Sequence, residues 1–193
     1  MRRGGIKAVI LAATVAVFWS PTPASADGFV SPWLGSNFSN EPADGRRSFG
    51  VTAGSMGGGI IGGEVDLGYS PNFWGPADLF GGNNVLNLMG NVIVGIPIGG
   101  QKGPGLRPYV TGGVGIIRTD FDGLLNTDGF SNTDFAFNLG GGVMGYLGTH
   151  FGLRGDLRYM RTIKSDLTDR DFDPEFGLGD FDFWRASFGV VFR

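Results

Sequence analysis

The sequence predicts an all-β fold: an eight-stranded antiparallel up-and-down transmembrane β-barrel after an N-terminal signal peptide. Three observations predict it. Eight segments alternate bulky apolar residues with small or charged ones at a period of two, which belongs to strands and cannot be laid on one face of a helix. The connections between those segments alternate long and short along the chain. The composition combines 37 glycines and 13% aromatics with only 17% charged residues in 193. With no collagen-like period and no proline-rich tract, that reads as strands and tight turns. A chain of this length suits one all-β unit.

The first residues are a separate object. MRRGGIK is basic, Ala8 to Trp19 is an apolar run, and Ala24-Ser25-Ala26 is a small-residue cleavage pattern before Asp27. This is the layout of a secretory signal peptide, and the run is short for a spanning helix. Residues 1–26 are therefore assigned to the signal peptide and 27–193 to the barrel. Losing Arg2, Arg3 and Lys7 leaves 12 basic against 18 acidic residues, a net charge of −6. Such a charge argues against nucleic acid as a partner. There are no cysteines, so an exported domain here must be stabilised without disulfides. No stretch after residue 26 approaches twenty apolar residues, so no transmembrane helix is expected.

The strands are read in order as Phe29–Phe38, Arg46–Met56, Ile60–Ser70, Asn84–Ile98, Leu106–Asp120, Asn132–Leu147, Phe151–Lys164 and Phe181–Arg193. In strand three, Ile61, Val65, Leu67 and Tyr69 oppose Gly62, Glu64, Asp66 and Gly68. In strand four, Leu86, Leu88, Val92, Val94 and Ile96 oppose Asn87, Met89, Asn91 and Gly95. Strand six sets Phe135, Phe137, Leu139 and Val143 against Ala136, Asn138, Gly140, Gly142 and Met144. Strand seven, FGLRGDLRYMR, sets Phe151, Leu153, Leu157 and Tyr159 against Arg154, Asp156, Arg158 and Met160. Strand eight sets Trp184, Ala186, Phe188, Val190 and Phe192 against Arg185, Ser187, Gly189 and Val191.

The connections after strands one, three, five and seven are the longer ones, the last being SDLTDRDFDPEFGLGD. Those after strands two and six are little more than Gly57-Gly58-Gly59 and Gly148-Thr149-His150. A barrel whose two ends face different compartments has this asymmetry.

Bulky faces turned inward would leave a soluble barrel with an outer surface of Gly, Ser and Asn, a poor water-facing surface. Turned outward they meet lipid, and the small residues fit a narrow eight-stranded interior. Glu64 and Asp66 are then expected to face Arg154 and Arg158 across the lumen, with Asp156 and Arg185 completing a balanced set. An unpaired charge there would be costly. Aromatics near strand ends (Trp33, Tyr69, Phe73, Trp74, Tyr109, Tyr146, Phe183, Trp184) are expected to form interfacial girdles. Inward glycines are expected to leave room for water.

At this point the chain resembles the small outer-membrane β-barrel proteins of Gram-negative bacteria, similar in plan to the OmpA transmembrane domain and to the outer membrane protein β-barrel domain family. The segments that carry the resemblance are PWLGSNFS (32–39), GGEVDLGYSPNFWG (62–75), GNVIVGIPIG (90–99), RPYVTGGVG (107–115) and RGDLRYMRT (154–162). It implies a monomer in the cell outer membrane, with long loops extracellular and short turns periplasmic. Its implied partners are outer-membrane lipid, lipopolysaccharide and the barrel-assembly machinery. The family's assembly signal is an amphipathic last strand ending in an aromatic residue. Ser187, Gly189 and Phe192 match its spacing, although the chain given ends in Arg193. No wall-tethering domain follows the barrel, so the full role of OmpA is not expected.

Candidate chemistry is sparse. Gly140, Gly142 and Gly145 spell G-x-G-x-x-G, but a dinucleotide site needs that motif between a strand and a helix, and here it lies inside a strand. His150 is the single histidine; it falls in the shortest turn, away from any serine that could complete a triad. No catalytic residues, cofactor or zinc spacing are expected. Asp169, Asp171 and Asp173 in the last long loop are candidate contacts for divalent cations, although no twelve-residue Ca²⁺ pattern is present. The expected function is a non-enzymatic, structural or surface-interaction role with a salt-bridged lumen. The alternatives are a small porin for ions or small solutes, a lipid-modifying barrel enzyme, and a soluble periplasmic barrel for an apolar ligand.

Overall fold

The computed structural model describes residues 26–38, 46–73, 83–99, 103–121, 130–163 and 181–193. The expected signal peptide lies outside the described residues apart from Ala26, and so do Trp74 and the loop aspartates Asp169, Asp171 and Asp173.

Eight strands form one closed antiparallel sheet in sequence order. They are β1 (Ala26–Phe38), β2 (Arg46–Gly57), β3 (Ile61–Pro71), β4 (Asn83–Gly95), β5 (Gly105–Phe121), β6 (Phe130–Tyr146), β7 (Phe151–Ile163) and β8 (Asp182–Phe192). β1 pairs with β8, so the sheet has no free edge, as hydrocarbon requires. β4 is shorter than its sequence reading. It ends at Gly95: Ile96 N–H still donates to Pro108 O at 2.9 Å, but Pro108 has no N–H to return the bond, and beyond it an isolated bridge joins Ile98 to Leu106.

Followed once round the barrel, paired residues run Gly28, Ser55, Gly63, Val92, Gly112, Leu139, Tyr159, Trp184 and Phe38, returning to β1 ten residues beyond the start. With ~3.3 Å per residue and ~4.8 Å between strands, that stagger tilts the strands by about 40°. Ten residues then rise about 25 Å along the axis, the height of the apolar band on a membrane barrel.

The faces fall as the period of two requires. Outward residues are bulky and open: Val114, Phe135, Leu139 and Phe188 are each at least 60% exposed. Inward residues are packed, with Met56, Met89, Met144 and Met160 fully buried. Among the described residues no helix is long and apolar enough to cross a membrane.

Two expectations about the interior are overturned. Trp33, Phe73, Tyr109, Tyr146 and Phe183 are buried, not interfacial. Trp33 shares parity with Ser31 and Asn37, Tyr109 with Arg107 and Thr111, and Phe183 with Arg185, so the pleat turns all three inward. Tyr69 and Trp184 of the expected girdle do face outward, among other aromatics: Phe49 packs against Tyr69, Phe137 against Tyr159, and Tyr159 against Trp184 towards the long-connection end, with Phe151 against Phe192 at the short-turn end. The inward glycines are not voids either. A Cβ on Gly68 would meet Arg185 Nη1 at 2.9 Å, on Gly115 Met89 Sδ at 2.8 Å, on Gly140 Arg158 Cγ at 2.8 Å and on Gly142 the Tyr109 hydroxyl at 2.6 Å. Each glycine is the recess that a large neighbouring side chain occupies, which is how an eight-stranded barrel holds arginines and aromatics together.

Candidate functional site

The lumen is stacked in three layers. The middle one is built by β3, β7 and β8, whose inward positions carry Glu64 and Asp66, Arg154, Asp156 and Arg158, and Arg185. Ring closure with the ten-residue stagger brings β3 opposite β7, so groups 90 or more residues apart in sequence meet. Glu64 accepts from Arg154 Nη2 at 2.9 Å and from Arg158 Nη2 at 2.7 Å. Asp156 accepts from Arg158 Nε at 2.6 Å and from Arg154 Nη2 at 3.3 Å. Asp66 takes a different partner from the one the sequence suggested, accepting from Arg185 Nη2 at 2.7 Å. Parity puts all six charges inside; the stagger decides which of them meet.

Neutral groups complete the layer. Tyr109 donates to Asp156 at 2.5 Å and accepts from Arg154 Nε at 2.7 Å. Thr52 and Asn87 donate to Asp66, and Asn91 and Thr111 to Glu64. Asn138 donates to Asn91 at 2.6 Å. The inward aromatics serve the same charges: Arg185 lies 4.1 Å from the Trp33 ring centroid and Arg154 4.9 Å from that of Tyr109. That is the physical reason these rings are not at the membrane interfaces, since a desolvated guanidinium is held by a ring face as well as by carboxylates.

Apolar layers lie on either side. Towards the long connections, Phe73, Val85, Met89, Ile117, Ala136, Met160 and Phe183 pack together, and the Phe73 ring stacks edge-on to Phe181 and Phe183. Arg46 reaches over Phe73 at 5.9 Å. Towards the short turns, Phe29, Met56, Ile93, Tyr109, Met144, Tyr146 and Val191 form the second cluster.

Below that cluster lies a residue the sequence reading missed. Arg107 is 2% exposed, its Cζ lies 5.3 Å from the Tyr146 ring centroid, and its one hydrogen-bond contact among the described residues is Nη1 to Met56 Sδ at 4.0 Å. It shares parity with Tyr109 and Thr111, which was the available signal. The turn after β2 folds beneath it: Gly58 and Gly59 have φ of 59° and 71°, and a Cβ on Gly59 would stand 2.6 Å from Arg107 Nη2. Glycine is needed there for both the left-handed backbone and the close approach.

The other singled-out positions are plain to place. Ser187 faces inward beside Gly35 and Asp156, Gly189 lies against Trp33, and Phe192 points outward. Gly140 and Gly142 receive Arg158 and Tyr109, inside β6. His150 is exposed, 2.7 Å from Thr149 Oγ1. No group of three potential metal ligands occurs among the described residues.

Residues 9–192 match the family described as the outer membrane protein beta-barrel domain. Among curated proteins, none matches this sequence. Solved structures share the fold. Neisserial surface protein A is 15% identical at a TM-score of 0.63, over 87% of this chain and 98% of that one. The N-terminal β-barrel domain of Pseudomonas aeruginosa OprF is 18% identical at 0.50, over 86% and 96%. Ail, the attachment invasion locus protein of Yersinia pestis, crystallised with the heparin analogue sucrose octasulfate, is 12% identical at 0.52, over 86% and 96%. The chain belongs to the outer membrane protein β-barrel domain family and is a protein of the Gram-negative outer membrane.

Proposed function

We propose that this member of the outer-membrane β-barrel family is a non-enzymatic structural and surface-interacting protein whose lumen is closed by its own side chains. One observation carries the reading: Glu64 spans the lumen to two arginines of β7 within a charged layer lying between two apolar ones. An ion crossing the barrel would have to part charge-assisted hydrogen bonds in the middle layer. It would also have to pass two side-chain layers that resist wetting. With the lumen closed, the work of the protein falls to its extracellular loops, where Asp169, Asp171 and Asp173 are proposed to contact divalent cations, and to its lipid-facing surface. Arg47, Arg118 and Arg161 stand on outward faces near the loop end, in position to meet anionic headgroups of lipid or lipopolysaccharide. We take the protein as a monomer, inserted by the barrel-assembly machinery through β8, with Ser187, Gly189 and Phe192 as the recognised pattern.

The small-porin reading is the second one. It is favoured by Arg154 Nη1, Arg158 Nη1 and Arg185 Nε and Nη1, which find no protein acceptor among the described residues and are places where water would enter the charged layer. Single-channel recording in planar bilayers separates the two, with closure of the barrel first checked by the gel-mobility difference between unheated and boiled samples. Silence from the wild type and conductance from Arg154→Ala/Arg158→Ala is the expected result. Discrete steps from the wild type would make the porin reading primary.

A further inference from the structure

Arg107 differs from the three arginines of the charged layer. Arg154, Arg158 and Arg185 each hold a carboxylate, whereas Arg107 has no ion pair among the described residues, and its Nε has no acceptor. A guanidinium that is 2% exposed and, among the described residues, has a thioether and a ring face for company is a desolvated cation awaiting an acceptor. A second cation shares its ring. Arg193 Cζ lies 4.1 Å from the Tyr146 centroid, so the two guanidiniums are no further apart than the sum of their distances to that ring. Arg193 is also the tie between the periplasmic turns: its backbone N–H donates to His150 O, its Nε to Thr149 O at 3.1 Å and its Nη2 to Gly103 O at 3.2 Å. Asp27, at the same end in β1, makes no ion pair with Arg107 among the described residues.

We propose that the periplasmic mouth of the barrel is a binding site for a compact oxyanion, phosphate or carboxylate, held by Arg107 with the charge of Arg193 beside the same ring adding to the attraction. An oxyanion there would give Arg107 the charge-assisted acceptor that its Nε lacks, in the geometry suited to the planar guanidinium fork, while Arg193, whose Nε and Nη2 already donate to the Thr149 and Gly103 carbonyls, adds its positive charge nearby. Because Arg193 joins the turn after β4 to the turn after β6, and Gly59 of the turn after β2 covers Arg107, an occupied site would hold all three periplasmic turns together. The phosphate could be free in the periplasm. The carboxylate could belong to a periplasmic macromolecule, and the site would then be a docking point on the side opposite the surface loops.

The test uses the protein purified in detergent from outer membranes, ¹⁵N-labelled, with the arginine Nε–H resonances followed while inorganic phosphate, acetate or chloride is added at constant ionic strength. The expected result is a saturable shift of two arginine signals with phosphate or acetate and none with chloride. Saturation by phosphate alone identifies phosphate as the ligand chemistry, and saturation by acetate identifies a carboxylate. Arg107→Gln and Arg193→Gln should each weaken binding tenfold or more. If Arg107→Gln fails the gel-mobility check for a closed barrel, Arg107→Lys, which keeps the charge and loses the fork, and Arg193→Gln decide the matter. A linear response equal to that of chloride, or saturation unchanged in the folded variants, overturns the proposal. Neither result bears on whether the lumen conducts, which the bilayer recordings address separately.

Discussion

The middle and the periplasmic end of the same lumen handle the same side chain in opposite ways. Arg154, Arg158 and Arg185 are 3%, 1% and 1% exposed, and Arg107 is 2% exposed. Burial does not distinguish them. The first three reach Glu64 and Asp66 of β3 from strands remote in sequence, with Asp156 bracing Arg154 and Arg158 within β7, so they tie β3, β7 and β8 together. Among the described residues, Arg107 ties nothing by charge. A buried arginine is therefore no measure of stability by itself; what matters is whether removing a partner strands a charge.

That contrast can be broken from either side, with urea unfolding in lipid vesicles, followed by tryptophan fluorescence and gel mobility, as the common measurement. Glu64→Ala has the largest expected effect. It strips Arg154 and Arg158 of a shared carboxylate and should cost about 3–5 kcal/mol; a loss under about 1 kcal/mol would mean the layer is well hydrated. Leu139→Arg comes next, placing the same side chain on the lipid face at a position 64% exposed. It should cost about 2–4 kcal/mol if that position lies near the bilayer midplane, and a neutral result would contradict the outward assignment. Gly140→Val pushes into Arg158 Cγ and the Leu157 carbonyl, and overpacking of this kind costs about 1–3 kcal/mol. Arg107→Met, in buffer free of phosphate and carboxylate, should shift stability by no more than about 1 kcal/mol in either direction, because an unpaired buried cation gives way to an apolar chain of similar reach. A loss as large as that of Glu64→Ala would reveal a protein partner for Arg107.

Much of this was legible along the chain. The period of two in FGLRGDLRYMR and in GGEVDLGY put the six charges on one face and the bulky residues on the other, and the long and short connections set the ends of the barrel. Trp33, Phe73, Tyr109, Tyr146 and Phe183 lie inside, unlike Tyr69 and Trp184, because parity and not proximity to a strand end decides the face. Trp33 alternates with Pro32 and Leu34, and parity alone would have sent it inward beside Asn37. Arg107 was lost for a related reason, lying at the very start of its strand next to a glycine-rich turn.

The sequence by itself determined that this chain has eight amphipathic strands, which residues share a face, and that the bulky face is the one lipid must cover, since pleat geometry is local and alternation records it directly. Only the closed barrel decided that Glu64 reaches Arg154 and Arg158, that Asp66 takes Arg185, and that Arg107 is left with a ring and a sulfur. Those outcomes depend on the stagger of ten residues accumulated over eight pairings and on the single closure between β1 and β8. No local pattern encodes that sum, because it exists only once the last strand has met the first.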